Sequence, residues 1–258
     1  MTVKQSCCIN KIVDEGPSCT QNAVMSFDDD FEKMTAVVKA AEDEIVMAVM
    51  FHETWKPAAF DEHLRARIGT SYAAHSFNII RLALRREMLL ALMRVWDSNK
   101  AAVRMTAIAE KLKEDKFFQD LVAKRAERLG MVSSGVEMQL TRTLEPKRQA
   151  VLSLIRKYAE GGSGRAAFKK IKALRDERLA HRQADDASTA RDDPNDKEVE
   201  TFYEDSLSLM TLLLSLVLAK AFDLNEAGSV YRHHAKFFWA SARGERTKGH
   251  PNYRPLSR

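Results

Sequence analysis

The chain has 258 residues, 45% of them hydrophobic and 30% charged, with 41 Lys and Arg against 36 Asp and Glu and a formal net charge of +5. That length and apolar content allow one large packed domain or two small ones, and ten glycines and six prolines amid abundant Ala, Leu, Glu, Lys, Arg and Met favour helix over sheet. Cys7, Cys8 and Cys19 are the only cysteines; their odd number and the lack of CxxC or Cys/His ligand spacing exclude a disulfide framework and a zinc site, and point to a reducing compartment.

Residues 1–26 mix polar, Gly and Pro residues without an apolar core of signal-peptide length. They read as a disordered leader without an export signal, so the expected location is cytoplasmic. Ser26 followed by Asp28, Asp29 and Asp30 is a helix start, because the hydroxyl can cap free amides and acids favour the positive end of the helix dipole. Phe31, Met34, Val38, Ala41, Ile45 and Ala48 then recur at the spacing of one helical face up to about Trp55, where Pro57 is expected to break the helix. A short helix over 60–68 ends before Gly69, and a long one over 71–96 carries Phe77, Ile80, Leu84, Met88, Leu92 and Val95 at helical spacing.

Two shorter helices, 105–112 and 116–129, lead to Gly130. The next spans 135–158, with a kink or break at Pro146, and Gly161, Gly162, Ser163 and Gly164 form a flexible turn. A basic helix is predicted over 165–182, and an acidic solvated loop over 184–195. The most apolar helix, 196–222, includes Leu207 to Ala219, a run too short to span a bilayer and interrupted by Ser208, Thr211 and Ser215. It reads as a bundle helix, apolar nearly all round, with one side for the core and another for a second subunit. The last helix, 228–243, leads into a flexible basic tail, 244–258, that attracts polyanions without reading sequence. The organisation is therefore a leader (1–26), one all-α antiparallel bundle with additional short helices (27–243) and a tail.

The chemistry concentrates between Arg165 and Arg182, where seven Lys or Arg face two acids, Asp176 and Glu177, so that this stretch matches the net charge of the whole chain. His181 can exchange a proton near neutral pH, and guanidinium groups can hold phosphate through paired donors. Together they suit chemistry on a phosphodiester. Arg175, Asp176 and His181 resemble the Arg, polar residue and His of HEPN domains. With "SYAAHSFNIIRLALRREMLLALMRVWD" at 71–97, "ALRDERLAHR" at 173–182 and "YRHHAKFFWA" at 231–240, the chain is similar to the abortive-infection AbiU-type branch of that superfamily over residues 28–243. The resemblance implies an all-α HEPN-like bundle and a symmetric dimer that brings two motif helices together. In active members it further implies metal-independent RNA cleavage without a cofactor, in toxin–antitoxin or phage-defence systems.

In that reading His181 transfers the proton, Arg175 clamps phosphate, Asp176 orients either of them, and Lys172, Arg178 and Arg182 bind RNA. One geometric condition applies. Six residues of ideal helix turn about 600°, which leaves Arg175 and His181 about 120° apart. The motif must straddle a helix end or kink, or the cleft must form across a dimer. Gln183 stands where HEPN proteins paired with nucleotidyltransferase antitoxins carry a modifiable tyrosine, so modification there is not expected and any antitoxin partner is unidentified. The competing readings are a non-catalytic HEPN-like module that binds RNA or protein, and a structural helical adaptor. Outside the motif, His233 and His234 beside Arg232 and Lys236 are candidate RNA contacts, against a plainer reading in which Phe237, Phe238 and Trp239 anchor the last helix.

Overall fold

The computed structural model describes residues 26–96, 105–130, 133–176, 193–244 and 247–255. Among these residues there are nine α-helices and no strand, the all-α architecture expected from composition and periodicity. The helix α1 (Phe27–Phe60) begins at a reciprocal cap in which Ser26 Oγ accepts from the Asp29 amide at 3.2 Å and the Asp29 carboxylate accepts from the Ser26 amide at 3.4 Å. The expected break at Pro57 does not occur. The proline removes one backbone hydrogen bond in the last turns, and the buried Trp55 and Ala58 on either side hold that part of the helix to the core. Asp61 closes α1 and caps α2 (Glu62–Ile68) by accepting from the Leu64 amide at 3.0 Å.

Next come α3 (Tyr72–Val95), α4 (Met105–Lys113) and α5 (Asp115–Arg128), close to their predicted bounds. The α6 helix (Ser134–Tyr158) runs unbroken across Pro146, which lies on its exposed side where water can satisfy the carbonyl that the proline cannot serve. Of the basic helix expected over 165–182, the described part is helical: α7 covers Arg165–Leu174 as an α-helix, Arg175 and Asp176 continue it in π geometry, and 177–182 lie outside the described residues. The α8 helix (Asp196–Leu218) starts at an Asn195–Glu198 capping box and stops earlier than predicted because Ala219 turns into the left-handed conformation. Capped by Asp223, α9 (Leu224–Ser241) starts four residues before its predicted Gly228.

The long helices α1 and α8 form the centre. Around them, α3 and α9 pack on α1, α6 and α7 pack on α8, and α4 and α5 close the bundle against α6. Ile45, Leu92, Ile171, Phe202, Leu209 and Leu213 lie at the heart of one continuous core. A second, smaller cluster of Ala58, Leu64, Ile68, Phe77, Ala235 and Trp239 joins α2 and the start of α3 to the end of α9.

The idea that α8 offers an apolar side to a second subunit needs correction. Its neighbours cover its apolar residues, and the exposed positions along its length, Asp196, Lys197, Glu204 and Ser208, are all polar. Among the described residues α8 alone is long and apolar enough to cross a membrane, yet 56% of its most apolar window is buried inside the fold. Exposed large apolar side chains gather on α3 (Tyr72, Ile79 and Leu82) and α9 (Val230, Phe237 and Phe238), with others more scattered, such as Leu129 and Met138.

Candidate functional site

The motif helix is fixed at its start by a tight turn and an aromatic cluster. Gly164, which precedes α7, sits where a Cβ would fall 2.6 Å from the Tyr158 ring, and its amide donates to the Lys157 carbonyl at 2.8 Å. The turn between α6 and α7 is thus shaped by close approach, which only glycine permits. Phe168 of α7 meets the rings of Trp96, Tyr158 and Phe202 at centroid distances of 6.1, 6.4 and 5.9 Å. Trp96 donates through Nε1 to Ser206 Oγ at 3.0 Å, and the Tyr158 hydroxyl donates to the Asp205 carboxylate at 2.5 Å, so each polar edge of the cluster is satisfied. Trp55 and Trp96 are both buried, at 3% and 9% exposure.

Phe168, Ile171 and Leu174 are the buried stripe of α7. Arg175 follows Ile171 by four positions and Phe168 by seven, so it continues that inner stripe, and its side chain is only 15% exposed. Its Nε donates to Asp176 Oδ1 at 2.6 Å, a charge-assisted bond between two of the predicted site residues. Lys172, half-buried, lies one turn before. The described part of the motif, Arg175 and Asp176, stands where α geometry gives way to π geometry. Arg178, His181 and Arg182, together with Gln183 and the helix-end Asp97, lie outside the described residues.

Much of the local positive charge is balanced. Arg165 and Lys169 both reach Glu160, at 3.0 and 3.5 Å, and Lys170 reaches Glu198 at 3.2 Å. Glu160 is held below the usual carboxylate range by Lys169 and Arg165. The basic helix is therefore tied to the α6 end and to the α8 start, with Arg175 and Asp176 at its far end.

A second polar constellation was not anticipated. His52, 1% exposed, lies between two carboxylates: its Nε2 is 2.8 Å from Glu200 Oε1 and its Nδ1 is 3.3 Å from Glu53 Oε1. The ring stacks on Tyr203 with centroids 3.8 Å apart. From α9, Arg232 donates through Nε and Nη2 to the two Glu53 oxygens at 2.7 and 3.3 Å, and Lys56 reaches Glu200 at 3.3 Å. Burial alone pushes the His52 pKa down, but the hydrogen bonds to Glu200 and Glu53 outweigh it and the net direction is up. Burial likewise pushes Glu53 up, and the bonds from His52 and Arg232 reverse this, bringing it to about 2. With the ring this inaccessible, the cluster clamps α1, α8 and α9 together. Its sequence signal was the periodicity itself, since His52 follows Ile45 and Ala48 on the buried stripe of α1.

On α9 only Trp239 acts as the anchor expected of the Phe237, Phe238 and Trp239 group, donating through Nε1 to the Thr54 carbonyl at 2.8 Å. Phe237 and Phe238 are 68% and 53% exposed. The start of the tail is fixed: a Cβ on Gly244 would fall 2.3 Å from the Ile68 carbonyl oxygen, and Thr247 Oγ1 lies 3.5 Å from the Arg67 carbonyl.

The family model of the HEPN protein AbiU2 matches residues 31–238. No curated protein and no solved structure matches the chain.

Proposed function

This chain belongs to the AbiU2 family of HEPN proteins, and from that premise we propose that it is a metal-independent endoribonuclease of an abortive-infection or toxin–antitoxin system, acting in the cytoplasm as a homodimer. The observation that carries the reading is the Arg175–Asp176 pair, held at the far end of α7 in the sequence context of His181. In the proposed reaction His181 accepts the proton of a ribose 2′-hydroxyl, and that oxygen attacks the adjacent phosphorus. The bond to the 5′-oxygen breaks as that oxygen takes up a proton, leaving a 2′,3′-cyclic phosphate and a 5′-hydroxyl. Arg175 stabilises the charge that builds on the phosphate oxygens, and Asp176 fixes the guanidinium plane. Lys172, Arg178 and Arg182 contact neighbouring phosphates.

A second subunit supports this arrangement by supplying a second motif to the same cleft. The exposed apolar stripe of Tyr72, Ile79 and Leu82 on α3 is the surface on which we place it, in preference to α8. The stripe flanks Arg85, which lies 3.6 Å from Asp196 in the first turn of α8, the same turn that Lys170 of α7 reaches through Glu198. Any antitoxin partner would act by covering the cleft or the RNA path.

The test is cleavage of total RNA by the purified chain with metal chelated. The wild type is expected to release fragments ending in cyclic phosphate, and His181→Ala to release none while keeping its helical circular dichroism. Equal cleavage by the variant removes His181 from the mechanism. RNA binding without cleavage by the wild type replaces the nuclease with a non-catalytic binding module.

A further inference from the structure

The outward face of α9 carries apolar side chains that the fold does not use. Leu224, Gly228, Ala235 and Trp239 form the buried stripe of this helix. Val230, His233 and Phe237 lie on the opposite side, successive at three and four positions, with His234, Lys236 and Phe238 flanking them. Val230, Phe237 and Phe238 are 51%, 68% and 53% exposed, and the His233 ring meets the Phe237 ring edge-on at 4.9 Å. The Phe238 ring is partly engaged, meeting the buried Trp239 edge-on at 4.9 Å, whereas Phe237 meets only the exposed His233.

The charge around them is mostly positive, with Glu245 the one acid in the sequence between Gly228 and Arg258. From Gly228 to Pro255 the described residues include Arg232, Lys236, Arg243, Lys248 and Arg254 and no carboxylate, Glu226 marking the acidic limit at the start of the stripe. Arg232 is committed to Glu53, whereas Lys236, Arg243, Lys248 and Arg254 are exposed. Tyr253, 42% exposed, adds another ring in the segment that Gly244 and Thr247 fix against α2.

We infer that the outward face of α9, with Phe237 at its centre, Phe238 at its edge and Lys236, Arg243, Lys248 and Arg254 around it, is a binding surface for single-stranded RNA separate from the Arg175 motif. Exposed rings give unpaired bases a stacking platform, and surrounding cations neutralise the backbone without demanding a sequence. A second copy of the chain is the less suitable occupant. In a twofold contact a patch faces itself, and this one would set its own cations against one another. The proposal rests on the ribonuclease reading for the identity of the polymer and deepens it by assigning where substrate is gathered before cleavage.

The test is fluorescence-anisotropy titration of the full chain with a short 2′-O-methyl oligouridine, which cannot be cleaved through its 2′-oxygen. Phe237→Ala with Phe238→Ala is expected to weaken binding by about tenfold or more while leaving the salt dependence unchanged. Lys236→Gln is expected to lower the slope of log K against log salt by roughly 0.7, and Phe237→Trp to retain affinity. Helicity by circular dichroism checks that each variant is folded. The proposal is overturned if the wild type does not bind the probe, or if the folded double variant binds it as the wild type does. It is also overturned if that variant turns a dimer into a monomer by light scattering without losing affinity, which would assign the face to a second copy. Cleavage of unmodified RNA is measured alongside; its absence with binding intact refutes the nuclease and leaves this surface standing.

Discussion

Arg175 owes its position to the apolar residues before it. Because it continues the stripe of Phe168 and Ile171, its guanidinium is held near the core edge, where a hydrogen bond to a charged partner is stronger than in water. Asp176 supplies that bond at 2.6 Å. In the proposed mechanism a planar fork held this way can meet two phosphate oxygens at once, which an ammonium cannot. Arg175→Lys is therefore expected to lower the rate at saturating RNA by about a hundredfold, the scale of losing one preorganised donor to a developing negative charge. Initial rates against RNA concentration check this; a rate at saturation equal to wild type would show that charge alone suffices at this position. The pairing of Arg175 with Asp176 was legible in the sequence, since the two are adjacent and opposite in charge. The inward placement of Arg175 was visible only in its spacing from Ile171 and Phe168, which the dense run of cations around it obscured. His52 was hidden for a different reason, because its meaning depends on Glu200 and Arg232, which approach it only in the folded chain.

At the scale of elements, helix identity followed from periodicity, while helix ends depended on local competition that periodicity does not record. Pro57 and Pro146 looked like breaks, yet one lost hydrogen bond in each helix was outweighed by flanking buried residues such as Trp55, Ala58 and Leu144. The His52 cluster shows how three such elements are locked together, and it predicts a pH dependence of stability. His52 has a raised pKa in the folded chain, so its contribution is complete below about 6.5, the ordinary histidine value, and is lost as pH rises through the raised value. Glu53 and Glu200 are depressed, so theirs is complete above the ordinary carboxylate range and is lost as pH falls through the folded values, about 2 for Glu53. Neutral His52 can donate to only one of the two carboxylates, which leaves the other oxygen facing a lone pair. Tyr203 covers the ring, and Arg232 and Lys56 supply the remaining positive charge around the cluster. His52→Gln should lower stability by about 3 kcal/mol near neutral pH, since it strands part of a buried ion network. It should also abolish the alkaline decline while retaining a reduced acid limb. Denaturant midpoints measured across pH decide this; an unchanged alkaline decline in the variant would assign that titration to another group.

At the scale of the whole molecule, the distribution of exposed apolar surface separates two tasks that the sequence placed on one helix. The unbroken apolar run of α8 suggested both core and docking surface, because a sequence cannot show how many neighbours will surround a helix. In the fold α1, α6, α7 and α9 pack around α8, and the exposed apolar residues that gather into stripes are on α3 and α9. The α9 rings sit in a field of cations suited to RNA. The α3 stripe of Tyr72, Ile79 and Leu82 lies beside Arg85, whose charge is already directed to Asp196, which leaves this face better suited to self-association. Leu82→Asp puts a carboxylate at the centre of the proposed twofold contact, where each copy would bury its charge against apolar partners and near its own symmetry mate. The substitution is on the surface of the single chain, so helicity and thermal midpoint should change little. Light scattering is expected to show a dimer for the wild type and a monomer for this variant at the same concentration. If the catalytic cleft is composite, cleavage should fall with the dimer, whereas anisotropy with 2′-O-methyl oligouridine should persist because α9 is untouched. A Leu82→Asp chain that stays dimeric would move the interface off α3, and a monomer that cleaves RNA at the wild-type rate would place the whole reaction within one subunit.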